Sequence, residues 1–156
     1  MLQLHHEGRY VVNVDESWIG ECDFTRLIWC KNKYNSSMKE KPVKPRLSLL
    51  AALDSEGNVW FALSHSNTDV DIMRIFSEYL CKSLDGERAD WRGTGVWLMD
   101  GAKYHTCREN QETLKRLGVP TIFTGPNSYT SSPVEKLFAG IKSGDLNPTN
   151  EPLSKK

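Results

Sequence analysis

The sequence predicts an α/β domain whose mixed five-stranded sheet, an antiparallel meander of three strands and then two strands with connecting helices, is flanked by helices. Three observations point there. Short apolar runs rich in Val, Leu and Trp end in a carboxylate at Asp15 and again at Asp100, as buried strands do at a sheet edge. Two further runs flank Asp54-Ser-Glu-Gly57, a hairpin signal. From Thr68 onward, helical spacing and strand-like runs alternate.

At 156 residues the chain has the size of one domain with a sizeable core. Its 38% hydrophobic and 26% charged residues are those of an ordinary soluble globular chain. The formal net charge of zero excludes a global field that would draw it onto nucleic acid, so any such contact must be local. Cys22, Cys30, Cys81 and Cys107 form no CxxC pair and no zinc spacing. With no signal peptide and no apolar run long enough for a bilayer, the expectation is a reducing interior: nucleus if eukaryotic, otherwise cytoplasm, not secreted, no membrane partner.

Taken in order, residues 1–9 read as a tail, and Tyr10–Asp15 as the first strand. Glu16, Glu21 and Asp23 make its end acidic, and Arg26–Cys30 reads as a short strand. Lys31, Lys33, Lys39, Lys41, Lys44 and Arg46 then face only Glu40, with Pro42 and Pro45 keeping the segment extended. Such a basic loop is either a solvated hairpin tip or, with Tyr34, an arm for phosphates. Leu47–Leu53 and Asn58–Leu63 form the hairpin. Thr68-Asp-Val-Asp71 approximates a capping box for a helix to Leu84, with Ile72, Ile75, Phe76, Tyr79, Leu80 and Leu84 as its apolar face. A polar connection leads to strand Thr94–Met99 and Asp100.

Thr106-Cys-Arg-Glu109 offers a second capping box, and Gly118 suits the end of the helix it opens. Val119–Phe123 is a fifth strand, and Pro133 begins a final helix whose inward face is Leu137, Phe138 and Ile141. Residues 144–156 read as a flexible tail behind a domain spanning 10–143. The order of elements is that expected of a ribonuclease H-like domain, in which the first and fourth strands lie side by side.

Asp15, Asp100 and Glu135 each have a plain reading alone. Asp15 can begin a turn, Asp100-Gly101 is a turn dipeptide, and Glu135 completes the capping box Ser132-Pro-Val-Glu135. Jointly they say more. Adjacent parallel strands would bring the aspartates together, and a helix after strand five can aim Glu135 at the same spot. Three unpaired carboxylates repel one another and take up protons, a problem that a hard dication removes. Oxygen donors suit magnesium or manganese, and two such ions about 3.5–4 Å apart can hold both oxygens of an in-line phosphoryl displacement.

Val-Asn-Val-Asp15-Glu16-Ser17-Trp18, then Trp-Leu-Met-Asp100-Gly-Ala-Lys-Tyr-His105, then Gly-Pro126-Asn-Ser128-Tyr-Thr-Ser-Ser-Pro133-Val-Glu135 resemble the DDE catalytic core of Tc1/mariner and bacterial IS630 transposases. The likeness runs from Tyr10 to Lys142, with 34 residues between Asp100 and Glu135. It departs at Gly101, where the family often has Asn, and at Thr130-Ser-Ser-Pro133 in place of Asp-Leu-Asn-Pro. The resemblance implies metal-dependent DNA phosphodiester hydrolysis and strand transfer with two Mg2+, for which Mn2+ can substitute. Asp15 would bridge the ions, and Asp100 and Glu135 would each hold one. His105 would orient substrate or scissile phosphate, or else cap or pack locally. Lys103 and Ser128 would touch phosphates, with the basic loop along the backbone. The implied partners are transposon ends, target DNA and a second copy of the chain. No helix-turn-helix pattern precedes Leu2, so the expected forms include an isolated catalytic domain, a degenerate copy and a host-adopted remnant. Two rivals stand beside this reading: a non-catalytic, domesticated domain for DNA or protein association, and a structure-selective nuclease of the same fold.

Overall fold

Five strands pair in the order β3-β2-β1-β4-β5 in the computed structural model, which describes residues 8–19, 47–125 and 132–142. The strands are β1 (Tyr10–Ile19), β2 (Leu47–Asp54), β3 (Val59–Ser64), β4 (Gly95–Met99) and β5 (Thr121–Phe123). The helices are α1 (Val70–Glu87), α2 (Trp91–Thr94), α3 (Lys103–Thr106), α4 (Arg108–Arg116) and α5 (Pro133–Lys142). β1, β2 and β3 form the antiparallel meander, and β1–β4 and β4–β5 pair in parallel. The predicted fold class therefore holds. The strand expected at Arg26–Cys30 and the basic loop lie outside the described residues.

β1 is longer than its apolar run. It pairs with β2 as far as Ile19↔Leu47, whereas its pairing with β4 stops at Asn13↔Leu98. Beyond Asn13, β1 therefore has a hydrogen-bonded neighbour on one side only, and the notch left by β4 is where Asp15 lies.

Alternation along the strands sorts side chains to two faces. Tyr10, Val12, Val14, Leu50, Ala52 and Trp60 bury one face against α1 and α4, with Phe76, Leu80, Leu84 and Leu114 in the same cluster. On the other face Leu49 and Ala51 meet Val134 and Phe138 of α5, and Leu137 and Ile141 pack beside them. The inward face expected for the final helix is thus present, with Val134 added.

α1 differs from its sequence reading in two ways. Its N-cap is Asp69, whose carboxylate accepts from the Ile72 amide at 2.9 Å, in place of the Thr68 hydroxyl. Its buried stripe is Met73, Phe76, Ser77, Leu80, Cys81 and Leu84, while Ile75 and Tyr79 are 62% and 47% exposed. The stripe that faces the sheet thus includes small Ser77 and Cys81, and the helix is turned so that Ile75 and Tyr79 face outward.

The connection after α1 is not merely polar. Trp91 has no exposed surface, and its ring stacks on Trp97 with centroids 6.1 Å apart. A Cβ on Gly95 would lie 2.3 Å from the Trp91 carbonyl oxygen that its own amide caps, so this tight end of α2 requires glycine. The Thr106–Glu109 capping box is not formed. Thr106 Oγ1 donates back to the Ala102 carbonyl at 3.1 Å, and α4 starts at Arg108 without a side-chain cap. Gly118 ends that helix at φ +68°, as its position predicts. No helix among the described residues is long and apolar enough to cross a membrane.

Candidate functional site

Val11, Asn13 and Asp15 share the face of β1 that looks toward α5. The β1–β4 register keeps a constant offset from Tyr10↔Gly95 to Asn13↔Leu98, and the same offset carries Asp15 onto Asp100. Both lie just past the end of the parallel pairing, and Asp100 is near enough for its charge to raise the Asp15 carboxyl. Glu135 enters from the layer above, in the first turn of α5.

The electrostatics register this crowding. Asp15 is 8% exposed, and its carboxyl is pushed up to about 7. Burial is the largest cause, followed by the charge of Glu16; the Glu16 amide opposes the rise, and the charges of Asp100 and Glu135 add to it. All three predicted acids therefore share one field. They do not close into a ligand cage: among the described residues, no three His, Cys, Asp or Glu side chains stand close enough to hold an ion.

His105 organises Asp100. The ring has no exposed surface, and Nδ1 lies 2.6 Å from Asp100 Oδ1, which also accepts from the Ala102 amide at 2.9 Å. The amide contact is an Asx turn, so Asp100 serves both the turn and the site. On its other side, Nε2 stands 3.3 Å from Glu16 Oε2, an ion-pair distance at which neither atom makes a hydrogen bond. Burial works against a charged ring, yet the two carboxylates outweigh it and push the imidazole up to about 9. The hydrogen bond from His105 in turn holds Asp100 below the usual carboxylate range, against partial burial. The ring is thus enclosed between the two carboxylates, directly behind Asp100.

The capping reading of Glu135 is corrected. Ser132 Oγ donates to Asn13 Oδ1 at 2.9 Å, and the same oxygen accepts from the Val134 amide at 3.0 Å. The start of α5 is therefore capped from β1, not by its own acid. Among the described residues, no hydrogen bond ties the Glu135 carboxylate back to the helix start.

Lys103 is exposed on α3, three residues beyond Asp100. Ser128 and the basic residues Lys31, Lys33, Lys39, Lys41, Lys44 and Arg46 lie outside the described residues. Sequence reasoning missed two participants. Glu16 and Asn13 entered only as part of an acidic edge, a strand and the motif around Asp15, with no role of their own. The available signal for Asn13 was a polar side chain inside an apolar run, since a buried amide must find partners.

No protein-family model and no curated protein matches the sequence. Solved structures do. The Mos1 transposase paired-end complex with left transposon end aligns with a TM-score of 0.67 and 19% identity, over 91% of this chain and 45% of that one. The catalytic domain of Mos1 mariner transposase gives 0.64 and 19%, over 91% and 65%. The same catalytic domain with raltegravir and Mn gives 0.65 and 17%, over 92% and 64%. The likeness expected from the motifs is thus met at the level of fold, which is ribonuclease H-like. This chain spans less than half the length of the first of these and under two thirds of the other two.

Proposed function

We propose that the chain is a DDE-type transposase-like domain that binds DNA and holds divalent cations through Asp15, Asp100 and Glu135. The observation that supports this reading is that the charges of Asp100, past the end of β4, and of Glu135, in the first turn of α5, both act on the buried Asp15 carboxyl. The donor chemistry fits a hard cation. It consists of oxygens alone, and Asp15 is driven toward protonation by burial and by its acidic neighbours, a strain that a dication relieves. Structures of the Mos1 catalytic domain were solved with Mn and with Mg, which supports the same choice of ion.

Bound Mg2+ or Mn2+, two ions by family resemblance, supplies Lewis-acid stabilisation of charge on a phosphodiester undergoing displacement. The chain's own residues prepare for it. His105 and Glu16 keep Asp100 ionised and fixed in one orientation. Lys103, exposed three residues beyond Asp100, would meet a DNA phosphate, and Ser128 and the basic residues of 31–46 would add phosphate contacts, as the resemblance implies. Hydrolysis of one DNA strand followed by transfer of its end to target DNA, in a pair of copies, is the full activity that the resemblance assigns. Nucleus or cytoplasm is the setting in which DNA would be met.

A second reading is favoured by one observation: the three acids share a field without closing around an ion. An association domain that keeps the fold and has lost catalysis would look the same. Incubation of the chain with nicked, duplex, junction and RNA–DNA hybrid substrates in Mn2+ separates the readings. Cleavage plus end joining on duplex DNA supports the transposase-like reading, and cleavage confined to hybrids or junctions supports a structure-selective nuclease. DNA retention without cleavage, unchanged in Asp15→Asn, supports the association domain.

A further inference from the structure

We infer that Asn13 is the positioning residue that sets Glu135 against the two aspartates, an inference that rests on the metal-site reading above. Asn13 lies on β1, two residues before Asp15, and its amide reaches the other two acid-bearing elements near their acids. Its Nδ2 donates at 3.1 Å to the carbonyl of Leu98, two positions before Asp100. Its Oδ1 accepts at 3.0 Å from the amide of Val134, which adjoins Glu135, and at 2.9 Å from the Ser132 hydroxyl.

The surroundings make these contacts matter. Asn13 is 3% exposed and Val134 has no exposed surface, so water does not compete for either. An ordinary N-cap comes from the residue that precedes the helix and fixes only how the helix starts. This one comes from a strand 121 residues away and fixes where the helix start lies on the sheet.

The choice of side chain follows from the geometry. A Val, as elsewhere on the strand, would leave the Val134 amide without this acceptor in the interior and remove the tie to the Leu98 carbonyl. Aspartate would have no proton for Leu98, and serine is too short to span both partners. A short planar amide, with donor and acceptor on opposite arms, satisfies all three contacts.

A double-mutant cycle read by Mn2+ calorimetry tests the inference, with thermal unfolding followed in parallel on the full chain. Asn13→Ala should fold and weaken Mn2+ binding by roughly 10–100-fold, the range for lost outer-shell partners. In a Glu135→Gln background the same substitution should add less than about twofold to the loss in affinity, because its effect runs through Glu135. Its lowering of Tm should persist undiminished in that background. A merely structural asparagine would lower affinity equally in both backgrounds. That result, or wild-type affinity in folded Asn13→Ala, overturns the inference and leaves the metal site standing. If the wild type itself takes up no Mn2+, the metal-site reading falls and takes the inference with it. Should Asn13→Ala not fold, Ser132→Ala removes one donor to Oδ1 alone. A several-fold loss that is absent in Glu135→Gln supports the role, and unchanged affinity overturns it.

Discussion

His105 can be separated from the fold by asking which of its two contacts each substitution spares. His105→Ala removes a charged hydrogen bond to Asp100 and leaves Glu16 facing an emptied site, which should cost roughly 1.5–3 kcal/mol in urea unfolding. His105→Gln keeps a donor and should cost less. Equal stability of the alanine variant and the wild type would contradict the assigned role. Asp54 supplies the pH test at the same scale. Burial raises its carboxyl, but donors from the Asn58 side chain, Tyr10 and the amides of Asn58 and Glu56 prevail and hold it below the usual range. Folding therefore favours the ionised form. Its contribution is complete above the unfolded value of about 3.9 and is lost as pH falls through the folded one. Asp54→Asn should be less stable near neutrality and should lose this acid-limb dependence in unfolding experiments. An unaltered pH profile would refute the account of that hairpin. Both residues show the limits of sequence reading. Asp54 was legible as the start of a turn, but its tie to Tyr10 joins positions 44 apart, and no local pattern encodes such a contact.

At the scale of elements, α2 runs directly into β4, and in the capping turn that joins them only hydrogen fits between Gly95 and the Trp91 carbonyl. Gly95→Ala should destabilise by about 1–3 kcal/mol through forced displacement of the Trp91–Trp97 stack. Near-ultraviolet circular dichroism and thermal unfolding would record it, and an unchanged Tm would mean that the capping turn accepts a side chain without cost. Strands were the more legible elements, because the hairpin around Asp54–Gly57 and the run Gly95–Met99 carry both period and turn chemistry. α1 was legible in extent up to its last turn and not in orientation. Counting large apolar residues selects Ile75 and Tyr79, whereas the sheet accepts the stripe that contains Ser77 and Cys81. Small side chains carry little hydrophobic signal. The Thr106–Glu109 box failed for a different reason: Thr106 belongs to the preceding helical turn and bonds back to Ala102.

For the molecule as a whole, the sheet order explains why two distant aspartates could be paired from sequence. The meander returns β3 parallel to β1, and the crossover from β3 through α1 sets β4 beside β1 and parallel to it, so that the strand ends preceding Asp100 and carrying Asp15 lie together. The third acid is harder, since Glu135 depends on where α5 docks, and the docking runs through Asn13 and the Val134–Phe138 contacts. The neutral total charge is compatible with DNA binding only if the positive charge is local, as Lys103 and the segment 31–46 would provide. The site as a whole is most directly tested by anomalous diffraction from crystals of the chain soaked in Mn2+. The account predicts manganese peaks bounded by the carboxylates of Asp15, Asp100 and Glu135, at oxygen distances near 2.0–2.2 Å. Saturating Mn2+ with no peak there, or ions held only by surface acids such as Asp71 and Glu109, would contradict it.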